Sequence, residues 1–159
     1  MTIWTPVVEG EDTAQREAQA VGGKRARDLT LLGDILKGRN YLQAAILEYE
    51  KAIQESKGLS PVLVNKLAGA YMDGKQYQEA EKLLTTNLRY YPQFPTTLTN
   101  MGEIYFLKKN YQDAADYFQQ AERINPFNPY VHLRLIRIYS ALGWTDKKEQ
   151  QEKWYRLIK

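Results

Sequence analysis

The chain has 159 residues, a net charge of +3, one histidine and no cysteine. That length is about one domain, and the absence of cysteine excludes a disulfide framework, a thiolate nucleophile and a thiolate zinc site while fitting a reducing or an oxidising compartment. No apolar run approaches the roughly 20 residues of a membrane span, and no short apolar stretch follows a basic start as a signal peptide requires. A cytoplasmic location is the default expectation, replaced by export if the sequence is part of a longer secreted or periplasmic protein.

Residues 1–25 are expected to form an N-terminal tail or linker. Pro6, Gly10 and Gly22-Gly23 punctuate the segment, and an acidic run at Glu9, Glu11 and Asp12 precedes a short helix predicted over Thr13–Ala20. Its apolar start, Ile3, Trp4, Pro6, Val7 and Val8, is unusual for a solvated linker. It fits either docking on the rest of the chain or on a partner, or the remnant of a preceding domain.

From residue 26 the sequence repeats. Tyr71, Tyr105 and Tyr139 stand 34 residues apart, with small and large residues recurring in order around each. The first repeat, about 26–60, carries Leu32-Gly33, Leu36, Ala45, Tyr49 and Ala52. The second, 61–94, carries Leu67-Ala68, Tyr71, Gly74, Tyr77, Ala80, Leu84 and Pro92; the third, 95–128, carries Leu98, Met101-Gly102, Tyr105, Tyr111, Ala114, Phe118, Ala121 and Pro126. Each repeat predicts a pair of helices. Gly33, Ala68 and Gly102 on the first helix and Ala45, Ala80 and Ala114 on the second are small enough for axes about 8–10 Å apart. Pro92 and Pro126 stop the second helices. The step from Leu36 to Tyr71 is 35 residues, so the Lys57–Ser60 loop is expected to bulge by one residue. Residues 129–159 keep Leu135, Ile138 and Tyr139 but have Ile136 and Lys148 at small-residue sites. Their second helix, about Asp146–Ile158, is mostly polar. It is expected to cap the array, with Trp144 or Trp154 over the end of the core.

This order of residues resembles the tetratricopeptide repeat (TPR) family, whose pattern is W-x2-L-G-x2-Y, then A-x3-F, then Pro. The resemblance implies an all-α fold, a right-handed superhelical solenoid of antiparallel helix pairs with three full repeats and a degenerate capping hairpin. It also implies a non-enzymatic protein–protein interaction scaffold that takes a protein or peptide ligand in its concave groove. Self-association into a homo-oligomer, through the solenoid ends or the N-terminal segment, is the alternative of the same class. A regulatory domain of a larger enzyme is a more distant one.

Catalytic and cofactor signals are lacking. Ser140, the serine nearest to His132, lies eight residues along the same predicted helix, about 12 Å of rise and beyond hydrogen-bond reach. His132 replaces the apolar residues Leu29, Val64 and Leu98 of the earlier repeats and is expected to pack. Glu48 and Glu50 do not share a helix face, there is no Gly-rich phosphate loop, and the carboxylates show no metal-ligand spacing. No catalytic residue, metal or cofactor is expected. Nucleic acid is a further alternative, because 129–159 holds seven Lys/Arg against three Asp/Glu. Arg134, Arg137, Lys147, Lys148, Lys153, Arg156 and Lys159 could meet phosphates, and Trp144, Trp154 and Tyr155 could stack on bases. The basic residues lie on both helices of the hairpin, as on a solvated cap, and no paired-residue RNA code recurs. Nucleic acid is therefore not the expected partner.

Phase along the repeats assigns the inner positions of the first helices. One row is Leu31, Lys66, Asn100 and Arg134; others hold Asn65 with Thr99, Glu103 with Arg137, Thr96 with Tyr130, and Met72 with Phe106. The candidate partner-binding set is Asn65, Lys66, Met72, Thr96, Thr99, Asn100, Glu103, Phe106, Tyr130, Arg134 and Arg137. It mixes amide and hydroxyl groups, cations and apolar patches, as an extended or helical peptide requires. Some TPR co-chaperones grip a C-terminal carboxylate with a clamp of two Lys, two Asn and one Arg at such positions. Here only Asn100 and Arg134 match, while Asn65, Gly69 and Tyr130 occupy the others, so that clamp is not expected.

Overall fold

In the computed structural model, residues 7–56 and 60–159 are described, with side chains from residue 23 onward. Among the described residues eight helices follow in order: α1 Val7–Gly38, α2 Leu42–Glu55, α3 Pro61–Asp73, α4 Tyr77–Tyr90, α5 Pro95–Leu107, α6 Tyr111–Ile124, α7 Pro129–Leu142 and α8 Thr145–Ile158. There is no strand among the described residues. The fold class is an all-α helical-repeat solenoid. The chain divides into two compact units between Leu63 and Val64.

In the first unit α1 packs on α2. Tyr49 is fully buried between Ala45 and Ala52, and its hydroxyl donates to Asp34 Oδ1 at 2.7 Å. A Cβ on Gly33 would stand 2.5 Å from Tyr49 Cε1, so the glycine is needed for the ring rather than for the alanine of the facing helix. The helix does not begin near residue 26. It runs unbroken from Val7, through the segment expected to be a tail and beyond the short helix expected over Thr13–Ala20. Two successive glycines cost about 1 kcal/mol each in a helix but do not forbid one, and good helix formers flank them. Ile3 and Trp4, like the inserted loop at residues 57–59, lie outside the described residues.

The second unit continues the pattern through α8. Ala68, Ala80, Leu84, Met101 and Ile104 form one buried cluster; Leu98, Ala114, Ala115, Phe118, Ala121, Val131, Leu135, Ile138 and Tyr139 form another. A Cβ on Gly102 would meet two Phe118 ring carbons at 2.8 Å, the same glycine–aromatic contact as in the first unit. Pro95 and Pro129 occupy first turns, where a missing N–H costs nothing. Asn128 caps α7 by accepting from the Tyr130 N–H at 3.0 Å.

The turn within each hairpin is built alike. Asn40, Lys75, Lys109 and Gly143 have φ of 64°, 59°, 61° and 71° and occupy the same phase of the repeat. After α5 the Asn110 N–H donates to the Tyr105 carbonyl at 2.9 Å, and after α7 the Trp144 N–H donates to the Tyr139 carbonyl at 2.9 Å. This is the six-to-one bond of a left-handed helix cap. The tyrosine that marks the period in the sequence thus also supplies the carbonyl that closes the turn.

Candidate functional site

The first helices of three successive hairpins, α3, α5 and α7, are tied side by side by polar side chains, and the candidate residues lie on these helices. Between α3 and α5 runs a line of amides. Asn100 Nδ2 donates to Asn65 Oδ1 at 3.0 Å, and Asn65 Nδ2 donates to Thr97 Oγ1 at 2.8 Å. Thr97 Oγ1 also accepts from Asn87 Nδ2 of α4 at 3.0 Å. Asn65 is only 6% exposed, and Thr97 and Asn87 are fully buried. Asn65 thus fixes the spacing of α3 and α5, because a buried amide stripped of its partner costs about 1–3 kcal/mol. Asn100, half-buried, is the member of the line nearest solvent.

Between α5 and α7 the tie is ionic. Arg134 Nη2 donates to Glu103 Oε1 at 2.7 Å, with the two side chains 20% and 15% exposed. The Tyr130 hydroxyl donates to Glu103 Oε2 at 2.8 Å and accepts from Arg134 Nε at 3.3 Å. The guanidinium carbon lies 5.2 Å from the Phe106 ring centre and 5.3 Å from that of Tyr130, within cation–π range. Burial disfavours the Arg134 cation, but the Tyr130 hydroxyl and the Glu103 carboxylate outweigh it and hold the pKa above the ordinary guanidinium value. Burial also raises the Tyr130 phenol, with Arg134 opposing and Glu103 reinforcing the shift. Four of the candidate residues, Glu103, Phe106, Tyr130 and Arg134, therefore form one closed cluster, and Arg134 is already paired.

The remaining candidates are spread along the same helices. Thr96 and Arg137 are exposed, and Lys66, Met72 and Thr99 are half-buried. Met72 packs against the cluster around Leu84, and the Thr99 hydroxyl donates to the Thr96 carbonyl at 3.0 Å.

Residues 65–129 match the Tetratricopeptide repeat family model. Residues 65–129 carry tetratricopeptide repeats. No curated protein matches it. Among solved structures it is similar to a Pseudomonas aeruginosa protein, pilF, at 21% identity and a TM-score of 0.78, covering 96% of this chain and 71% of that one. The first TPR of Spaghetti (RPAP3), bound to the HSP90 peptide SRMEEVD, aligns at 21% identity and a TM-score of 0.70, covering 76% of this chain and 95% of that one. A thermophilic TPR protein from Thermus thermophilus, TTC0263, aligns at 22% identity and a TM-score of 0.72, covering 84% of this chain and 74% of that one. These likenesses share a fold, and the TPR fold supports a role in protein–protein interaction.

In the α7–α8 hairpin the structure adds contacts that the sequence does not show. His132 is 1% exposed, buried as expected, and both its ring nitrogens stand within hydrogen-bond distance of carbonyl oxygens. Nε2 faces the Pro126 carbonyl at 2.7 Å, and Nδ1 faces Gln151 Oε1 of α8 at 2.5 Å. Gln151 Nε2 in turn donates to Glu122 Oε1 of α6 at 2.8 Å. Of the two tryptophans expected over the core end, Trp144 packs on Tyr139 with ring centres 5.7 Å apart, whereas Trp154 is 43% exposed. The basic residues of the cap are partly engaged at home. Lys147 lies 4.6 Å from the Trp144 ring centre, and Lys148 pairs with Glu152 at 3.7 Å. No helix among the described residues is long and apolar enough to cross a membrane.

Proposed function

We propose that this TPR chain is a protein-interaction adaptor that holds a peptide or protein segment along the α3–α5–α7 face. The observation that carries this reading is a continuous row of groups of different chemistry on three successive first helices: exposed Thr96, Tyr130, Leu133 and Arg137 beside half-buried Lys66, Thr99 and Asn100. Hydroxyls and amides can bond a peptide backbone, the Arg137 guanidinium can donate to its carbonyls, and Leu133 and Tyr130 can hold a side chain. The amide line and the ionic cluster beneath support it, because they lock the helices that present the row and so lower the ordering cost of binding. Further support comes from the first TPR of Spaghetti (RPAP3), which shares the fold and is bound to a heptapeptide.

The test is photo-crosslinking of the intact chain with p-benzoylphenylalanine placed at Thr96 or Arg137, with the exposed Gln112 of α6 as control. Crosslinks to a partner from 96 and 137, and none from 112, are expected. Crosslinks arising instead from the same probe placed at the exposed Trp154 of α8, and not from 96 or 137, move the binding surface to that helix and overturn the proposal.

A further inference from the structure

The α5–α7 part of the face contains a cation that has its own counter-ion. Arg134 spends two of its five N–H donors inside the cluster, one on Glu103 Oε1 and one on the Tyr130 hydroxyl. Glu103 has both oxygens occupied, one by Arg134 and one by Tyr130. At 20% and 15% exposure the pair is weakly screened by salt. A ligand carboxylate approaching Arg134 must also come close to the Glu103 carboxylate, which stands 2.7 Å from the guanidinium, and like charges brought together at an interface are strongly unfavourable. The remaining guanidinium N–H bonds can still serve a neutral acceptor such as a peptide carbonyl.

From this geometry we infer that Glu103 is a built-in carboxylate that occupies Arg134 and makes the α5–α7 site select neutral segments, bonded through backbone carbonyls or side-chain amides, over acidic peptides and free C-termini. The inference rests on the α3–α5–α7 face being the binding face and names what that face accepts. It assigns to Glu103 the specificity-determining role and to Tyr130 that of holding Glu103 in place. It accounts for a site that has an arginine and an asparagine on adjacent first helices and yet lacks a net positive charge at the arginine.

The test uses the full chain and two labelled probes, the acidic heptapeptide SRMEEVD and an amidated version with its glutamates and aspartate replaced by glutamine and asparagine. Fluorescence anisotropy reads the affinity of each for the parent and for Glu103→Gln. Glu103→Gln is expected to gain about ten- to a hundredfold for the acidic probe, the worth of a charge-assisted hydrogen bond, with a gain that shrinks as salt rises and no gain for the neutral probe. Glu103→Gln/Arg134→Gln should lose the gain. Tyr130→Phe, which keeps the ring and frees Glu103, should show a smaller gain of the same sign and stands in if Glu103→Gln fails to fold by circular dichroism. Equal affinity of parent and variant for the acidic probe, whether weak or tight, overturns the inference, as does an equal gain for both probes. Because the probes are synthetic, this result is independent of whether a natural partner crosslinks from Thr96 and Arg137.

Discussion

The α5–α6 and α7–α8 hairpins have helices of nearly equal length and the same left-handed turn, yet they are held shut by different physics. In α5–α6 the contact is steric: Gly102 admits the fully buried ring of Phe118, with Ala114, Ala115 and Ala121 completing the face. In α7–α8 the corresponding positions are Ile136, Lys148 and Glu152, and the one buried residue of α8 is polar, Gln151. The hydrogen-bonded run from Pro126 through His132 and Gln151 to Glu122 takes the place of the glycine–aromatic contact. A hairpin inside the repeat array has apolar surface to bury on both sides. Most of α8 is exposed to water here, so a polar bridge can hold this helix without the exposed apolar face that close packing would need.

The largest effect expected from breaking this contrast is at Gly102. A Cβ there overlaps the Phe118 ring at 2.8 Å, and the ring is enclosed on its other side by the core. Gly102→Leu should cost roughly 3 kcal/mol, the upper part of the overpacking range, and lower the melting temperature by about 6–12 °C for a chain of this size. A melt indistinguishable from that of the parent would show that α5 and α6 do not meet through this glycine.

At the polar hairpin the expected effect is smaller and has a different form. Gln151→Leu leaves His132 Nδ1 with only the Glu122 carboxylate, 3.6 Å away, and His132→Leu leaves the Gln151 carbonyl without its ring partner. Each should cost about 1–3 kcal/mol. The double variant replaces both partners by apolar groups, with leucine at the site that Leu98 holds in the repeat before, and should recover most of the loss. Urea unfolding of the four proteins of this cycle gives the coupling directly. Strictly additive losses would mean that the two side chains are not joined and that something else holds α8.

The same contrast explains what could be read in the sequence. Steric contacts leave a periodic trace: the column Gly33, Ala68, Gly102 and the tyrosines at 71, 105 and 139 announce the hairpins and their phase. Polar contacts leave a trace only as exceptions. Thr97 sits in the column of Leu63 and Val131, and Asn87 in that of Ala52 and Ala121; they bond to each other at 3.0 Å. Two polar residues breaking two apolar columns in adjacent helices is the signal that would have found the buried amide line and shown that Asn65 belongs to it. Gln151 gave no such signal, because on a mostly polar helix one more polar residue has no contrast. For Arg134 the phase gives only its place on α7; that Glu103 rather than solvent meets it depends on the distance between α5 and α7, which no spacing within either helix contains. The N-terminal extension of α1 was hidden by its glycine pair, whose cost the surrounding helix formers offset.

The smallest expected effect sharpens the comparison at its one shared element, the turn. Lys109 after α5 and Gly143 after α7 have φ of 61° and 71° and make the same capping bond, so the residue type there should matter through the backbone alone. A side chain in this left-handed region costs about 1–2 kcal/mol, while glycine gives back roughly 0.4–1 kcal/mol by loosening the unfolded chain. Nothing lies within 4 Å of a Cβ built on Gly143, which leaves no packing term to confuse the sign. Lys109→Gly is therefore expected to raise stability by up to about 1 kcal/mol, and Gly143→Lys to lower it by a similar amount. Opposite signs of near-equal size in urea unfolding would establish that the two hairpins differ in their contacts and not in their turns. Changes of the same sign would mean that the Lys109 side chain contributes to α5–α6 beyond its backbone, and the contrast between a steric and a polar hairpin would then have to include the turn.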